Sequence, residues 1–206
     1  MNYLEAIHSD ESAYFKELRA FAEDNDIPIV SLETMRFLRQ LLNLSNPVHI
    51  LEIGTAIGYS ACFFASVLPK ASIITIERHP KMQSLAEKTF QTSPYNHQIT
   101  LIKADALEVK LETLPHAFDF IFIDGAKAQN IKFFEKFSRR LNPQGLIVVD
   151  NVLFHDMIDK RILSKNLRQL VGKIDRFNRY ITKKSGFDTA VHQVGDGLAV
   201  AIKQGE

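Results

Sequence analysis

The sequence predicts an α/β protein: a doubly wound, mostly parallel sheet of seven strands, preceded by a helical cap and closed by an antiparallel hairpin. Three observations carry this. From His49 onward, short runs rich in β-branched and aromatic residues alternate with helix-length segments, the pattern of a parallel sheet covered on both faces. Two of the runs, F-D-F-I-F-I-D-G-A-K (Phe118 to Lys127) and L-I-V-V-D-N-V (Leu146 to Val152), end in acid. The last two runs, D-T-A-V-H-Q-V and G-L-A-V-A-I-K, are joined by Gly195-Asp196-Gly197, a tight-turn sequence that implies a hairpin.

Taken in order, residues 1–45 read as the cap. Tyr3, Leu4 and Ile7, then Tyr14, Phe15, Leu18 and Phe21, recur at helical spacing, break at Asp26-Ile27-Pro28, and restart behind Ser31 as N-cap with Leu32, Met35, Leu38 and Leu42 as the buried stripe. Residues 46–206 form the core. Its buried strands are H-I-L-E-I, S-I-I-T-I-E, Q-I-T-L-I-K, F-D-F-I-F-I-D and G-L-I-V-V-D, with helices at Tyr59 to Leu68, Pro80 to Phe90 and Gln129 to Leu141. Before the hairpin, Leu163, Leu167, Leu170, Ile174, Phe177 and Ile181 step by fours and threes, a helical stripe for packing on a sheet or on a partner helix.

Composition bounds the function. A chain of 206 residues with 46% hydrophobic and 24% charged residues fits one globular domain. The apolar stretches are strand-sized rather than membrane-spanning, the start lacks a secretory pattern and the end matches no lipidation or retention signal, so a cytoplasmic location is expected. The single cysteine, Cys62, excludes an internal disulfide and a cysteine zinc site, and seven scattered histidines disfavour zinc. The net charge of +1 conceals an asymmetry: residues 160–184 carry nine Lys/Arg against one acid, Asp175.

The string L-E-I-G-T-A-I-G-Y-S (Leu51 to Ser60) leads from the first strand into a helix, so Gly54 and Gly58 are placed to let backbone approach a ligand. The next strand ends in Glu77, where an acid in a doubly wound fold accepts hydrogen bonds from ribose hydroxyls. Dinucleotide binding is the rival reading, but G-T-A-I-G lacks the G-x-G-x-x-G spacing for a pyrophosphate and no triphosphate loop is present. A ligand with ribose and no phosphate fits better. S-adenosylmethionine is such a ligand, with Glu52 and Gly54 near its amino-acid end, Ser60 for its carboxylate, Glu77 on its ribose and Asp105-Ala106 beside its adenine. A parallel sheet that aligns the two acid-ended strands brings Asp124, Asp150 and Asn151 together. Two carboxylates and an amide oxygen suit Mg²⁺, leaving about three of its octahedral positions open. Asp124 would face both the metal and the cofactor.

Together L-E-I-G-T-A-I-G-Y-S, I-E-R-H-P, D-F-I-F-I-D-G-A-K and D-N-V resemble the metal-dependent O-methyltransferase family of the catechol and caffeoyl-CoA enzymes, over about Pro28 to the last strand. The resemblance implies the Rossmann-like fold of class I S-adenosylmethionine-dependent methyltransferases, whose last strand is antiparallel. It also implies that Val30 touches the methionine part of the cofactor and that Lys127 is the general base, catalysis resting on Lys127 and Asp124. A lysine takes that role only where cationic neighbours and burial lower its ordinary pKa of about 10.4.

The catechol enzymes wall their ring with tryptophan, one just before the catalytic lysine. Here that position is Ala126 and the chain has no tryptophan, which leaves room for a bulkier acceptor. Phe154 and His155 are candidates to stack on it. The cations Lys160, Arg161, Lys165, Arg168, Lys173, Arg176, Arg179, Lys183 and Lys184 are the footprint expected for RNA. Within the family, I-F-I-D-G-A-K, D-N-V-L-F and D-T-A-V-H-Q-V-G-D-G-L-A-V-A are most similar to the bacterial tRNA 5-hydroxyuridine methyltransferases. That similarity implies a flipped-out wobble base of the tRNA anticodon loop as acceptor and 5-methoxyuridine as product, while the heptad-like stripe and the family both allow a homodimer. A small catechol or phenol as acceptor, and a non-catalytic RNA-binding protein, are the alternative readings.

Overall fold

The computed structural model describes residues 11–115, 117–153 and 164–205. The first turns of the expected cap (Tyr3, Leu4, Ile7) and Leu163 of the late stripe lie outside these residues. Seven strands, β1 (His49–Ile53), β2 (Ser72–Glu77), β3 (Ile99–Lys103), β4 (Phe118–Ile123), β5 (Leu141–Asp150), β6 (Phe187–His192) and β7 (Leu198–Lys203), form one sheet in the order β3-β2-β1-β4-β5-β7-β6. Neighbours among β1 to β5 are parallel, and β7 is antiparallel to both β5 and β6. The expected α/β sheet with a terminal hairpin is therefore present, the hairpin's second strand lying between β5 and its first.

Strand periodicity explains the two-sided core. In β4, Phe120 and Phe122 point to one face, where they meet Leu38 and Leu42 of α2 (Leu32–Ser45) and Phe64 of α3 (Tyr59–Val67); Ile121 and Ile123 point to the other, against Phe134 and Phe137 of α5 (Asn130–Phe137) and Phe177 and Ile181 of α6 (Lys165–Ile181). Phe15 of α1 (Ala13–Asp24) and Phe90 of α4 (Pro80–Thr92) complete the first face. The expected cap at Ser31 is made: its hydroxyl accepts the Thr34 N–H at 3.1 Å. Among the described residues no helix is long and apolar enough to cross a membrane.

Three local expectations are corrected. The Q-I-T-L-I-K strand is not fully buried, because β3 ends the sheet order with only β2 beside it. The helix expected over Gln129 to Leu141 stops at Phe137; a 3₁₀ turn follows, and β5 already begins at Leu141, with a register irregularity opposite Phe118 to Phe120 and Gln144 at φ +63°. On α6 the deepest residues are Val171, Ile174, Phe177 and Ile181, whereas Leu167 and Leu170 are only half-buried.

The sheet positions the site through register. Ile53 pairs with Ile76 and Ile123, and Ile123 with Val149, so the residues immediately beyond, Gly54, Glu77, Asp124 and Asp150, share one edge of the sheet. The chain reverses its winding between β1 and β4, the crevice where ligands sit in open α/β sheets.

Phe64 meets Phe120 and Phe122 edge-on at 6.1 and 5.5 Å between ring centres and is fully buried. Replacing it by alanine is expected to destabilise the fold by about 3–5 kcal/mol, measured as a lower urea midpoint with an unchanged slope.

Candidate active site

Beyond those strand ends lies a cavity of about 690 Å³ that runs from Asp105 at one end to Asp150, Asn151 and Asp196 at the other, roofed by residues 25–31 ahead of α2. Its size is that of a small-molecule site. Val30, Gly54, Ser60, Glu77, Asp105, Ala106, Asp124, Lys127, Asp150 and Asn151 all line it.

At the end near β1 and β2 the backbone is the main constraint. Gly54 has φ +98°, and a Cβ there would fall 2.3 Å from the Asp124 carbonyl oxygen. The glycine thus lets the ends of β1 and β4 meet. Gly58, also expected to admit a ligand, instead clears the Phe90 ring, 2.5 Å from where a Cβ would stand. Ala56, on the cavity wall, holds φ +47°, a left-handed conformation that costs a non-glycine residue on the order of 1–2 kcal/mol. What holds that turn is Glu77: one carboxylate oxygen accepts the N–H groups of Thr55 (3.1 Å) and Ala56 (3.0 Å), and the other accepts His79 N–H at 2.7 Å. The acid expected on a ribose therefore also organises the loop that faces it.

Glu52, expected near the amino-acid end of the cofactor, lies directly behind Ser60 of the cavity wall. It is fully buried beneath the loop, accepting the Thr75 hydroxyl at 2.5 Å and the Ser60 hydroxyl, while Thr75 is joined to Thr55. Burial pushes its carboxyl up to about 7 against an ordinary 4.5, the two hydroxyls opposing the rise. Its effect on a ligand passes through Ser60. Sequence reasoning also missed Lys136 on α5, whose ammonium donates to the carbonyls of Ala106 (2.8 Å) and Leu107 (2.7 Å) and fastens the turn bearing Asp105.

At the other end Asp124 and Asp150 follow neighbouring strands. Burial, then the negative charge of Asp150, raises the Asp124 carboxyl well above the carboxylate range, with Lys127 opposing. Burial likewise raises Asp150 to about 6, opposed by the Asn151 N–H, 2.6 Å from its carboxylate, and by Lys127. Asn151 holds φ +60°. Its side-chain amide N–H points to Asp196 at 3.5 Å, and among the described residues no hydrogen bond engages its amide oxygen, whose lone pairs could serve a cation. Asp196, read from sequence only as part of a tight turn, raises the carboxyls of both Asp124 and Asp150. Gly195 beside it packs on the Ser31 and Thr34 hydroxyls, so the hairpin turn ties this acidic end to the roof. Among the described residues no three His, Cys, Asp or Glu side chains form a metal site by themselves. Two buried, mutually repelling carboxylates joined by an amide oxygen nevertheless suit a hard divalent cation, which would relieve the repulsion that lifts their protons.

A family model described as O-methyltransferase matches residues 5–204. The chain belongs to the O-methyltransferase family. A catechol O-methyltransferase of Niastella koreensis is 32% identical over 183 residues, 84% of this chain and 81% of the relative. A caffeoyl-CoA O-methyltransferase of Populus kitakamiensis is 26% identical over 83% of this chain and 76% of its own length. A Staphylococcus aureus crystal structure provisionally described as a caffeoyl-CoA O-methyltransferase superposes with a TM-score of 0.92 at 39% identity, covering 98% of this chain and 97% of that one. A Bacillus cereus O-methyltransferase solved with S-adenosylhomocysteine shares the fold, with a TM-score of 0.85 at 23% identity over 98% of this chain and 96% of that one.

Of the cations expected to meet RNA, Lys160 and Arg161 lie outside the described residues, as do Phe154 and His155. Lys165, Arg168, Lys173, Arg176 and Arg179 lie exposed on α6 and Lys183 exposed just after it. Arg179 is engaged by Asp175 and Lys184 by Glu135. Ala126, where the catechol enzymes place tryptophan, lines the cavity.

The Glu52 burial has a measurable sign. The folded state holds the proton more tightly than the unfolded chain, so this stabilisation is fully present below pH about 4.5 and is lost as the pH rises through about 7. Glu52→Gln, which mimics the protonated side chain, is expected to unfold at higher urea than the parent at pH 8, by about 1–3 kcal/mol, and to match it at pH 4.5.

Proposed function

We propose that this O-methyltransferase takes its methyl group from S-adenosylmethionine, uses a divalent cation of the Mg²⁺ type, and methylates the 5-hydroxyl of 5-hydroxyuridine at the tRNA wobble position. The observation that supports the reading is that one cavity is lined by the Glu77 carboxylate towards one end and by Asp124, Asp150, Asn151 and Lys127 towards the other. Asp105 and Glu77 would hold the adenosine; Val30 and Ser60 would flank the methionine part. Asp124, Asp150 and the Asn151 amide oxygen would hold the cation, which when bound would supply a double positive charge that makes the acceptor hydroxyl more acidic.

Lys127 follows Asp124 by three residues on the turn beyond β4 and shares the cavity wall with it, so it is placed to accept the hydroxyl proton. The acceptor oxygen then attacks the sulfonium methyl in line: a carbon–oxygen bond forms, the carbon–sulfur bond breaks, and S-adenosylhomocysteine leaves. The 5-hydroxyl and 4-carbonyl of the uracil ring offer adjacent oxygens as a catechol does. Ala126 at the wall and the uncovered cations of α6 beside the Lys127 turn favour a bulky anionic acceptor. A small catechol is the second reading, supported by the Niastella koreensis relative.

Nucleosides from cells lacking the protein are expected to lose 5-methoxyuridine and accumulate 5-hydroxyuridine in mass spectra. Unchanged nucleosides, together with turnover of catechols in vitro, would assign the smaller acceptor. In transfer assays with labelled cofactor, Lys127→Ala is expected to lower kcat by about 10²–10⁴ while calorimetry shows cofactor binding retained. Excess chelator is expected to stop turnover and added Mg²⁺ to restore it; full rates in chelator, or in Asp150→Ala, would refute the metal.

A further inference from the structure

A second, smaller hollow of about 250 Å³ adjoins the cavity, the two sharing Lys127 as a wall residue. It lies between the chain following Lys127 and α6, with the fully buried Phe177 at its base and Lys132, Lys173 and Arg176 around it. Three features set its charge. Those three cations are exposed, and among the described residues none of them has a carboxylate partner. The one acid of α5, Glu135, is occupied by Lys184 at 2.6 Å, and the one acid of α6, Asp175, by Arg179 at 3.0 Å. Asn130, another lining residue and only 2% exposed, has a side-chain amide nitrogen with no acceptor among the described residues. The hollow is therefore a recess floored by Ala128, Ile131 and Phe177 and edged by cations without carboxylate partners among the described residues, with the buried Asn130 amide behind it.

We infer that this hollow is a subsite for one phosphodiester of the RNA acceptor, next to the nucleotide whose base enters the catalytic cavity. The inference rests on the RNA reading of the acceptor and deepens it. A phosphodiester carries one negative charge and several acceptor oxygens, which a guanidinium grips in a fork and ammonium groups meet as point charges. An uncharged catechol has nothing to place there, so the subsite separates a nucleotide in a strand from a free phenol. Because Lys127 stands between the two hollows, a phosphate held here anchors the strand beside the reacting hydroxyl.

The test is binding of a fluorescently labelled anticodon stem-loop RNA to the full chain, followed by fluorescence polarisation across a salt series. Lys173→Ala combined with Arg176→Ala is expected to weaken binding about tenfold and to reduce the slope of log affinity against log salt by roughly 0.7, the value for one phosphate of a single strand. The exchange Lys173→Arg with Arg176→Lys should retain most of the affinity, Asn130→Ala should lose a few-fold, and neutralising Lys70 and Lys88 should change nothing. An unchanged thermal midpoint establishes that the double variant is folded. Equal affinity and slope in parent and double variant overturn the subsite, as does a parent that does not bind the RNA. Weakened binding by the double variant, with an RNA that is never methylated, sustains the subsite and refutes the acceptor instead.

Discussion

The site depends on the in-register pairing of parallel strands. Parallel neighbours end at the same edge, and here the residue after each strand is the one that matters: Gly54 after β1, Asp124 after β4, with Glu77 and Asp150 as the last residues of β2 and β5. A slip of one residue in any pair would turn an acid from the edge into the helix layer, where a carboxylate without partners costs several kcal/mol. The apolar alternation of β4, with phenylalanines on one face and isoleucines on the other, guards that register. Core packing and site geometry are in this sense the same constraint.

Electrostatics follows from the alignment. Asp124, Asp150 and Asp196 gather at one end of the cavity with Lys127 as the opposing charge named for Asp124 and Asp150 alike. Buried carboxylates that repel one another in this way work against folding, and under the proposed reading a bound cation would offset that repulsion. At the other end the burden is conformational: Gly54 and Ala56 take left-handed backbone so that the loop can lie against both β4 and Glu77. Glu77 holds that loop by its N–H groups, which gives the acid expected on a ribose a structural part of its own. The raised carboxyl of Glu52 below adds a buried polar layer that shapes Ser60 without touching the cavity.

Much of this was readable from residues alone. The strand ends carrying Asp124, Asp150 and Asn151, the Gly54 turn, Glu77 and the Ser31 cap all rest on local pattern, period and turn chemistry, and each stands where that pattern puts it. That Glu52 stands behind Ser60 and not on the wall itself was not legible, because an acid in a strand gives no sign of which partners it meets at the sheet end. Gly58 was misread because a glycine needed for ring clearance looks the same in sequence as one needed for a ligand. Asp196 and Lys136 went unnoticed, since one sits in an ordinary hairpin turn and the other on a helix face, far in sequence from the groups they touch.

The amino-acid sequence by itself determined the α/β class, the hairpin at the end, the positions of the acids and the family to which the chain is similar, because these depend on hydrophobic period and on short motifs. Only the tertiary structure decided that Asp196 joins the acidic group, that Lys136 fastens the Asp105 turn, and that Glu135 and Asp175 are taken by other cations. Except for Asp175, whose partner Arg179 stands one turn along the same helix at a spacing the sequence does contain, these depend on which side chains face one another across elements, a matter of register, twist and helix rotation.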